Sequence, residues 1–458
     1  MGSPSAIPSR IKQLLTSESK SIDNRFVALA AIAYCVFAIW LTARNSPWIA
    51  GDSVRYLQLS QAILRGQFGL MHNGAFDPEA WRQPGYPAFL ALGSLVFGKS
   101  RLALIILQHL MSFTAILLAY WVVRRELSTA AARIFLVLCS IYPFIAEATA
   151  KFLTESLCLF LISASIYAIS ARRPWSPYLA GLFGALAGLV RPNLMLLPIV
   201  YVFVYLIVGQ QMRKATILGI TAAVALLPWS IRNYETFGRF TPMPLGGGPG
   251  GALMMAAWET RMSDDALFQY GFSGQITPEL QRSGMLELQA RIDSEVGIPP
   301  DRVCWMMDSF ETGDKMIIAD GILKREAVGV IKAAPATYFL RTLWNVPRMW
   351  FSFAVESRMP RLKRYPMIAL GSSIWLLAVT GFLVLVPRLR SSKSEALLAL
   401  CIVPVYFTLT LCWFQHDARY TVPARLALLS LAAYAIAHWI GTPDAVAVET
   451  RQNAAVLS

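Results

Sequence analysis

The chain has 458 residues, of which 56% are hydrophobic and 15% charged, and its formal net charge is +14. Soluble domains average about 25% charged residues, so this composition excludes an ordinary soluble protein and predicts an integral membrane protein. The basic residues are scattered between apolar segments, which argues against nucleic-acid binding; cytoplasmic loops, anionic headgroups or a phosphate-bearing substrate remain as reasons for the charge.

Apolar segments near bilayer length recur along the chain, and roughly 20 apolar residues span a bilayer as a helix. When these segments alternate in direction, the basic clusters of the short loops fall on one side, which the positive-inside rule assigns to the cytoplasm. These cytoplasmic loops hold mostly bare lysine and arginine. The sequence predicts an all-α polytopic membrane protein with about ten transmembrane helices, at residues 26–43, 102–123, 133–148, 153–170, 177–190, 194–209, 215–230, 366–387, 395–414 and 420–440.

These segments divide the chain into parts on alternating sides of the membrane. The expected parts are a cytoplasmic N-terminal segment 1–25, a transmembrane module 26–230 with a catalytic first outer loop 44–101, an outer (periplasmic) segment 231–365 with interfacial helices, transmembrane helices 366–440 and a cytoplasmic tail 441–458.

Residues 336–354 are the difficult point of this topology. The segment is apolar but contains Arg341 and Arg348, and a charge at a helix centre costs roughly 2.5–3.5 kcal/mol on insertion scales. We therefore expect it at the interface. If it spans, everything after it changes sides, and the basic residues just after it would then obey the positive-inside rule.

Acidic and basic side chains gather at the outer ends of the predicted spans, where they are costly. Carboxylates and guanidinium groups on one face suit an anionic lipid substrate whose tail lies in the bilayer and whose phosphate lies on arginine. The residues concerned are Asp52, Arg82, Glu147, Lys151, Glu155, Arg191, Arg232, Glu235, His416, Asp417 and Arg419.

Each of these residues also has an ordinary structural interpretation. Asp52 precedes a predicted amphipathic helix, with Tyr56 on its apolar face and Arg55 on its polar face, and could cap it. Residues 147, 151 and 155 have the spacing of helix ion pairs, and the arginines could reach the headgroups. "GGGPGG" at 246–251 is either a flexible loop or a backbone nest for phosphate. The six cysteines suggest no internal disulfide and the four histidines no metal site.

The order of several short motifs resembles the GT-C class of membrane glycosyltransferases, which includes the protein O-mannosyltransferases and the lipid A aminoarabinose transferases. The motifs are "GDSVRYLQLSQAILRGQF", "WRQPGYPAFL", "YPFIAEATAKFLTESL", "GALAGLVRPN", "PWSIRNYETFGRF" and "ARYTVP", and the resemblance runs from about residue 26 to 440. The resemblance implies that Asp52 and Glu155 are catalytic. It departs from the family pattern at Ser53, where many members have a second acid, and this leaves metal dependence open.

The resemblance also implies the reaction and the partners. We expect an inverting glycosyltransferase that moves one sugar from a polyprenyl-phosphate donor to a hydroxyl of a lipid, glycan or protein acceptor on the outer face of a bacterial inner membrane, with no required cofactor. Asp52 would take the hydroxyl proton, and Glu155 would raise its pKa or hold it in place. The alternatives are a transporter or flippase of lipid-linked sugars and an O-antigen ligase or polymerase type of enzyme. The expected substrate-binding residues are Tyr56, Arg82, Lys151, Arg191, Arg232, Arg419 and Tyr420.

Overall fold

The computed structural model describes residues 9–46, 48–49, 52–72, 75–246, 249–261, 278–297, 313–351, 361–391, 394–414 and 418–441. Helices dominate these residues. In the first half they are α1 (Ser9–Thr16), α2 (Lys20–Arg44), α3 (Ser53–Ile63), α4 (Gly85–Phe97), α5 (Arg101–Glu126), α6 (Thr129–Ile141), α7 (Pro143–Thr149), α8 (Glu155–Ala171), α9 (Ser176–Val190), α10 (Leu197–Gly209) and α11 (Met212–Phe237). In the second half they are α12 (Pro249–Trp258), α13 (Pro278–Arg282), α14 (Met285–Val296), α15 (Gly313–Ala333), α16 (Pro335–Phe351), α17 (Arg361–Ser391), α18 (Glu395–Leu411) and α19 (Arg425–Trp439).

The all-α polytopic membrane fold expected from the sequence is confirmed. Five helices of the described chain are long and apolar enough to cross a membrane, and six shorter apolar helices accompany them. Every predicted span coincides with one of these helices except 133–148, which is divided. Pro143 lacks a backbone N–H and cannot continue a helix interior, so α6 ends at Ile141 and a short α7 begins at Pro143. The number of helices that cross the membrane stays a prediction.

The transmembrane helices differ in what surrounds them. α8 and α19 are buried on nearly every side; α8 packs against α5 and α9, and α19 packs against α6 and α17. By contrast, α2 exposes a row of large apolar side chains: Leu29, Ile32, Val36, Ile39 and Trp40. A helix that is apolar on its outer face is typical of contact with lipid. The two enclosed helices therefore bring their outer ends to the middle of the bundle.

The segment between α2 and α5, which the sequence predicts as the first outer loop, contains a β-hairpin that was not expected. Strands β1 (Gly69–His72) and β2 (Ala75–Pro78) pair antiparallel between α3 and α4. Arg55, which was expected on the polar face of α3, is buried. It pairs with the carboxylate of Glu79 just after β2. This pair ties α3 to the segment that follows the hairpin.

Helices α12, α14 and α15 form a module with its own apolar core, which we call the α12–α15 module. The N–H of Gly313, in α15, donates to Asp77 in β2. In the segment before α12, the N–H groups of Leu245 and Gly246 donate to the carbonyl oxygen of Ala80. Trp81 packs against the core of this module, so the module contacts the segment that carries Arg82.

The end of the glycine-rich stretch forms the first turn of α12, and the side chain of Asp320 lies against that turn. The N–H of Gly251 donates to the carboxylate of Asp320 on α15 at 3.1 Å. A Cβ at Gly250 would overlap the backbone oxygen of Asp320. Gly250 therefore allows α12 and α15 to approach closely, and the amide of Gly251 faces the carboxylate of Asp320.

Helix α16 covers most of the segment 336–354, and its polar side faces the protein. Arg341 forms a buried ion pair with Glu259 and also donates to the carbonyl oxygen of Phe414. Phe339, Leu340, Leu343 and Trp344 are exposed on the other side. Whether α16 lies at the interface or spans the membrane stays a prediction.

Some of the basic residues that the sequence assigns to the cytoplasmic loops are not bare. Arg133 is fully buried and donates to Asp23 and to the carbonyl oxygens of Leu14, Leu15 and Ser17. Arg172, whose side chain is more than half exposed, pairs with the buried carboxylate of Glu126. Acids distant in the sequence reach these arginines when the helices pack, which a count of charges per loop does not detect.

Candidate active site

Asp52 lies directly before α3, but it does not cap the helix. It occupies the capping position, and its side chain accepts no hydrogen bond from the first turn. Its carboxylate instead accepts a hydrogen bond from Arg82 at 2.8 Å and lies 3.6 Å from Arg419. The Asp52 side chain keeps 27% of its surface exposed. The capping explanation of this acid is therefore wrong, and its charge is directed at two arginines.

Glu155 is the first residue of α8 and is almost fully enclosed. Its Oε1 lies 3.3 Å from Arg419 and 3.5 Å from Arg191. Neither carboxylate oxygen has a hydrogen bond of good geometry to the residues that the structure describes. Arg419 therefore bridges the two acids, while Glu155 is held deeper than Asp52.

A backbone link fixes the two acids relative to one another. The hydroxyl of Ser53, beside Asp52, donates to the carbonyl oxygen of Phe152 at 2.9 Å, and the N–H of Phe152 donates to the carbonyl oxygen of Trp48. The loop between α7 and α8 thus lies against the start of α3. Because Ser53 is completely buried, water does not compete for its hydrogen bond.

Arg82 is positioned by the loop that follows the hairpin. Both Trp81 and Arg82 donate their backbone N–H groups to Oε1 of Glu79, at 2.8 and 3.0 Å. The other oxygen of Glu79 accepts a hydrogen bond from Arg55 at 2.7 Å. The guanidinium of Arg82 lies 3.6 Å from the centre of the Trp81 ring and 5.6 Å from that of Tyr56. Arg82 thus reaches Asp52 from a loop that is held at both its backbone and its side chain.

Tyr420 contacts the two remaining arginines. The guanidinium of Arg191 lies 4.8 Å from the centre of its ring, and that of Arg419 lies 5.3 Å away. Such contacts orient guanidinium groups and stabilise them when they are partly desolvated. Three guanidinium groups (Arg82, Arg191, Arg419) and two carboxylates (Asp52, Glu155) therefore meet at one place, which we call the arginine–carboxylate cluster.

The electrostatics of the cluster favour an ionised Asp52. Burial raises its pKa, but the positive charges of Arg82, then Arg419 and Arg191, outweigh burial and hold the pKa below the ordinary range. Glu155 is not among the groups that shift the pKa of Asp52, and the other role expected of it, to hold Asp52 in place, stays a prediction. Burial, with a contribution from the charge of Asp52, raises the pKa of Tyr56 far above its ordinary value, so Tyr56 stays a neutral phenol.

Among the residues that the structure describes, the formal charges of the cluster leave one positive charge. Three guanidinium groups face two carboxylates, and the neighbouring pairs Arg55–Glu79 and Lys151–Glu147 are each neutral. The described residues contain no group of three or more His, Cys, Asp and Glu side chains that could hold a metal ion. The guanidinium groups suit a ligand with one negative charge, and the partly exposed carboxylate of Asp52 lies beside the place where that ligand would bind.

Two of the expected binding residues are not joined to the cluster by any described contact. Lys151 forms a helix-type pair with Glu147 at 3.9 Å. Arg232 is surrounded by the rings of Phe68, Trp229 and Phe237, and it donates to the carbonyl oxygen of Phe68 and to Asn233. The positions of His416 and Asp417 lie outside the described residues.

The residues that sequence reasoning missed support the cluster rather than line it. Ser53, Arg55, Glu79 and Trp81 all act on the positions of Asp52 or Arg82. A signal was present in "EAWR", because a carboxylate two and three residues before backbone N–H groups often accepts from them. The partner Arg55 could not be found in this way, since it reaches Glu79 across 24 residues of sequence.

Three comparisons relate the chain to known proteins. Residues 80–231 match the family described as dolichyl-phosphate-mannose-protein mannosyltransferase. No curated protein sequence matches significantly. The chain superposes on the oligosaccharyltransferase AglB of Archaeoglobus fulgidus in complex with an inhibitory peptide and a dolichol-phosphate, with a TM-score of 0.50 and 14% identity, and this covers 90% of the present chain and 50% of AglB. ArnT of Cupriavidus metallidurans bound to undecaprenyl phosphate matches with a TM-score of 0.40 and 14% identity, over 88% of this chain and 78% of that one.

The family match begins at residue 80, just before Arg82, and includes Glu155 and Arg191. It covers about a third of the chain, and the chain spans half of the length of AglB. The resemblance seen in the sequence is thereby confirmed at the level of family segment and fold. Residues 80–231 are thus similar to the dolichyl-phosphate-mannose-protein mannosyltransferase family, and the chain has the membrane fold expected of the GT-C class.

Proposed function

We propose that the protein is an inverting glycosyltransferase. It moves a monosaccharide from a polyprenyl-phosphate donor to an acceptor hydroxyl on the outer face of the membrane in which it lies. The observation that carries the proposal is the convergence of Arg82, Arg191 and Arg419 on Asp52 and Glu155. A polyprenyl-phosphate sugar is a phosphodiester with one negative charge. The match to the mannosyltransferase family supports such a donor, as does the fold shared with AglB, whose structure contains a dolichol-phosphate.

The arginines bind the donor phosphate in this mechanism. When the bond between the sugar and the phosphate breaks, the bonding electrons stay on the phosphate oxygen and the phosphodiester becomes a monoester with more negative charge. Guanidinium groups that are already in place stabilise this developing charge without reorganisation. Arg82, Arg191 and Arg419 are all largely enclosed, so their charges act at low dielectric.

Asp52 is the general base rather than Glu155. Both acids are paired with arginine, but Asp52 is partly exposed, whereas the Glu155 side chain is only 1% exposed. An acceptor hydroxyl can therefore approach Asp52 and transfer its proton as its oxygen attacks the anomeric carbon. A single displacement of this kind inverts the configuration. Glu155 holds Arg191 and Arg419 for the phosphate.

Donor binding strengthens the base. In the free protein Arg82 and Arg419 lower the pKa of Asp52, which makes its carboxylate a weak proton acceptor. A phosphate that binds the same two guanidinium groups partly neutralises their charge, and the pKa of Asp52 rises towards its ordinary range. Proton transfer is thereby favoured when the donor is present.

The test is a transfer assay in membrane vesicles that contain the protein and a labelled polyprenyl-phosphate sugar. We expect label to move to an acceptor and free polyprenyl phosphate to accumulate with wild type, and not with Asp52→Asn at the same folded amount. A labelled nucleotide sugar is the control donor and should not be used. If the lipid-linked sugar crosses the bilayer without being consumed, the protein is a transporter. If Asp52→Asn transfers as fast as wild type, an enzyme of the ligase type with another base is the better description.

A further inference from the structure

The departure from the GT-C pattern at Ser53 leaves open whether the reaction needs a divalent cation. Mg²⁺ and Mn²⁺ bind mainly to carboxylate oxygens and water, so the two acids of the arginine–carboxylate cluster are the ligands to consider. The hydroxyl of Ser53 already donates to the carbonyl oxygen of Phe152. Among the residues that the structure describes, a cation in the cluster would therefore depend on Asp52 and Glu155.

A guanidinium group lies between these two acids. Nη2 of Arg419 is 3.6 Å from Oδ2 of Asp52, and its Nε is 3.3 Å from Oε1 of Glu155. A divalent cation that joins two carboxylates must contact an oxygen of each at roughly 2.0–2.6 Å. Such a cation would need the position that the guanidinium of Arg419 holds.

The other approaches to the two carboxylates are taken by arginine as well. Oδ1 of Asp52 accepts a hydrogen bond from Arg82 at 2.8 Å, and Oε1 of Glu155 also lies 3.5 Å from Arg191. The Glu155 side chain is almost fully buried, whereas Mg²⁺ dehydrates reluctantly and usually keeps several waters. A hydrated cation cannot reach Glu155 unless the arginines around it move.

The charge of the cluster also opposes a cation. Three guanidinium groups and two carboxylates leave one positive charge among the described residues. If the guanidinium of Arg419 moved aside to about 4 Å from a divalent ion, their repulsion would weaken binding roughly 30-fold even at the dielectric of water. The donor set of the cluster therefore does not fit a divalent cation.

The segment that carries Arg419 is fixed from the protein side. Arg419 lies in a 3₁₀ helix, Ala418–Ala424, in which Thr421 is completely buried. The hydroxyl of Thr421 donates to the carbonyl oxygen of Met349 at 3.2 Å and accepts a hydrogen bond from Arg425 at 3.2 Å. These buried contacts hold the backbone of the segment, so that the guanidinium of Arg419 stays between the acids.

We propose that Arg419 takes the place of a divalent cation between Asp52 and Glu155, so that sugar transfer needs no metal ion. This proposal rests on the proposed function, since it names the source of positive charge for the same reaction. The guanidinium holds the two acids together and faces the donor phosphate. Because this charge is covalently attached, it does not depend on the supply of metal ions.

The first experiment measures Mn²⁺ binding by electron paramagnetic resonance, with the full chain in nanodiscs of zwitterionic lipid. We expect wild type to show no Mn²⁺ binding that Asp52→Asn removes. Arg419→Ala should bind Mn²⁺ at least roughly 30-fold more tightly than wild type, and adding Asp52→Asn to it should abolish this binding. Arg291→Ala is the matched control. It frees the single carboxylate of Glu326 on the α12–α15 module and should behave as wild type.

Two results of this experiment would overturn the proposal. One is Mn²⁺ binding by wild type that Asp52→Asn or Glu155→Gln removes. The other is a lack of Mn²⁺ binding in folded Arg419→Ala, since the position between the acids would then not be that of a cation. Arg419→Gln removes the charge but keeps a hydrogen-bond donor for the acids, and it replaces Arg419→Ala if that variant does not fold.

The second experiment is the transfer assay in the presence of EDTA or added Mn²⁺. We expect the wild-type rate to be the same in both. If EDTA abolishes transfer by wild type and Mn²⁺ restores it, the proposal is overturned while the proposed function stands. If wild type transfers no sugar under any condition, the proposed function fails, and Mn²⁺ binding still decides whether Arg419 holds the place of a cation.

Discussion

Replacement of Asp52 by asparagine removes the proposed base while it changes the volume of the side chain very little. A general base contributes about 10²–10⁴-fold in rate, which corresponds to roughly 2.7–5.5 kcal/mol of activation free energy. The loss of folding stability should be smaller. The carboxylate is 27% exposed, so its ion pairs lie between exposed pairs, worth up to about 1 kcal/mol, and buried pairs, whose disruption costs roughly 3–5 kcal/mol.

The chain contains a matched control at the opposite end of the bundle. Asp23 is also an aspartate paired with two arginines, Arg124 and Arg133, each at 2.7 Å. Its side chain is only 6% exposed and that of Arg133 is fully buried. Asp23→Asn should therefore cost about 3–5 kcal/mol of folding stability and leave the transfer rate per folded molecule unchanged.

Asp52→Asn should therefore lose mainly transfer rate, and Asp23→Asn should lose mainly folding stability. Transfer of label from a polyprenyl-phosphate sugar is measured in vesicles and divided by the amount of monodisperse folded protein, and thermal unfolding is followed in the same preparations. If Asp52→Asn and Asp23→Asn lose the same transfer rate per folded molecule, the loss reflects general damage and the reasoning about Asp52 as a base is refuted.

Three further predictions concern the supports of the site. Ser53→Ala leaves the carbonyl oxygen of Phe152 unpaired and should cost about 1–3 kcal/mol by thermal unfolding, whereas Ser60→Ala, which removes a bond within one helix turn, should cost little; equal losses would contradict the role of the link. Gly250→Ala places a methyl group against the backbone oxygen of Asp320 and should lower stability by roughly 1–3 kcal/mol, so an unchanged melting temperature would contradict the close packing of α12 on α15. Burial raises the pKa of Asp320, more than its backbone hydrogen bonds and a nearby lysine lower it; its contribution to stability is present below about pH 3.9 and is lost as the pH rises through the folded pKa. Asp320→Asn should therefore gain in melting temperature relative to wild type as the pH rises above about 4, and a relative loss would show that the ionised carboxylate is the favoured form.

The apolar helices were predictable because their signal is local. A run of apolar residues of bilayer length reads as a helix whatever its neighbours are, and α2, α5 and α11 follow the predicted spans closely. The hairpin at residues 69–78 was not predictable, since its strands have four residues each. The two strand sequences, "GLMH" and "AFDP", lack a regular alternation of apolar and polar residues.

The candidate cluster was partly predictable for a different reason. Charged residues at the ends of apolar segments are costly unless they have partners, which drew attention to Asp52, Glu155, Arg191 and Arg419. The same argument selected Arg232, which the structure surrounds with aromatic rings instead. A sequence shows which charges need partners, but the choice between a carboxylate and an aromatic ring depends on which helices become neighbours.

The burial of Arg133 has a consequence for the order in which the chain assembles during synthesis. Its guanidinium binds backbone oxygens of Leu14, Leu15 and Ser17 and the side chain of Asp23, which lies 110 residues earlier in the sequence. The N-terminal segment and α2 leave the ribosome long before these contacts can form. The contacts of Arg133 with the N-terminal segment can form only after α6 has been inserted, because contacts so distant in sequence form late. A fusion partner that displaces residues 14–17 would therefore disturb the seating of α6, although the two are far apart in the sequence.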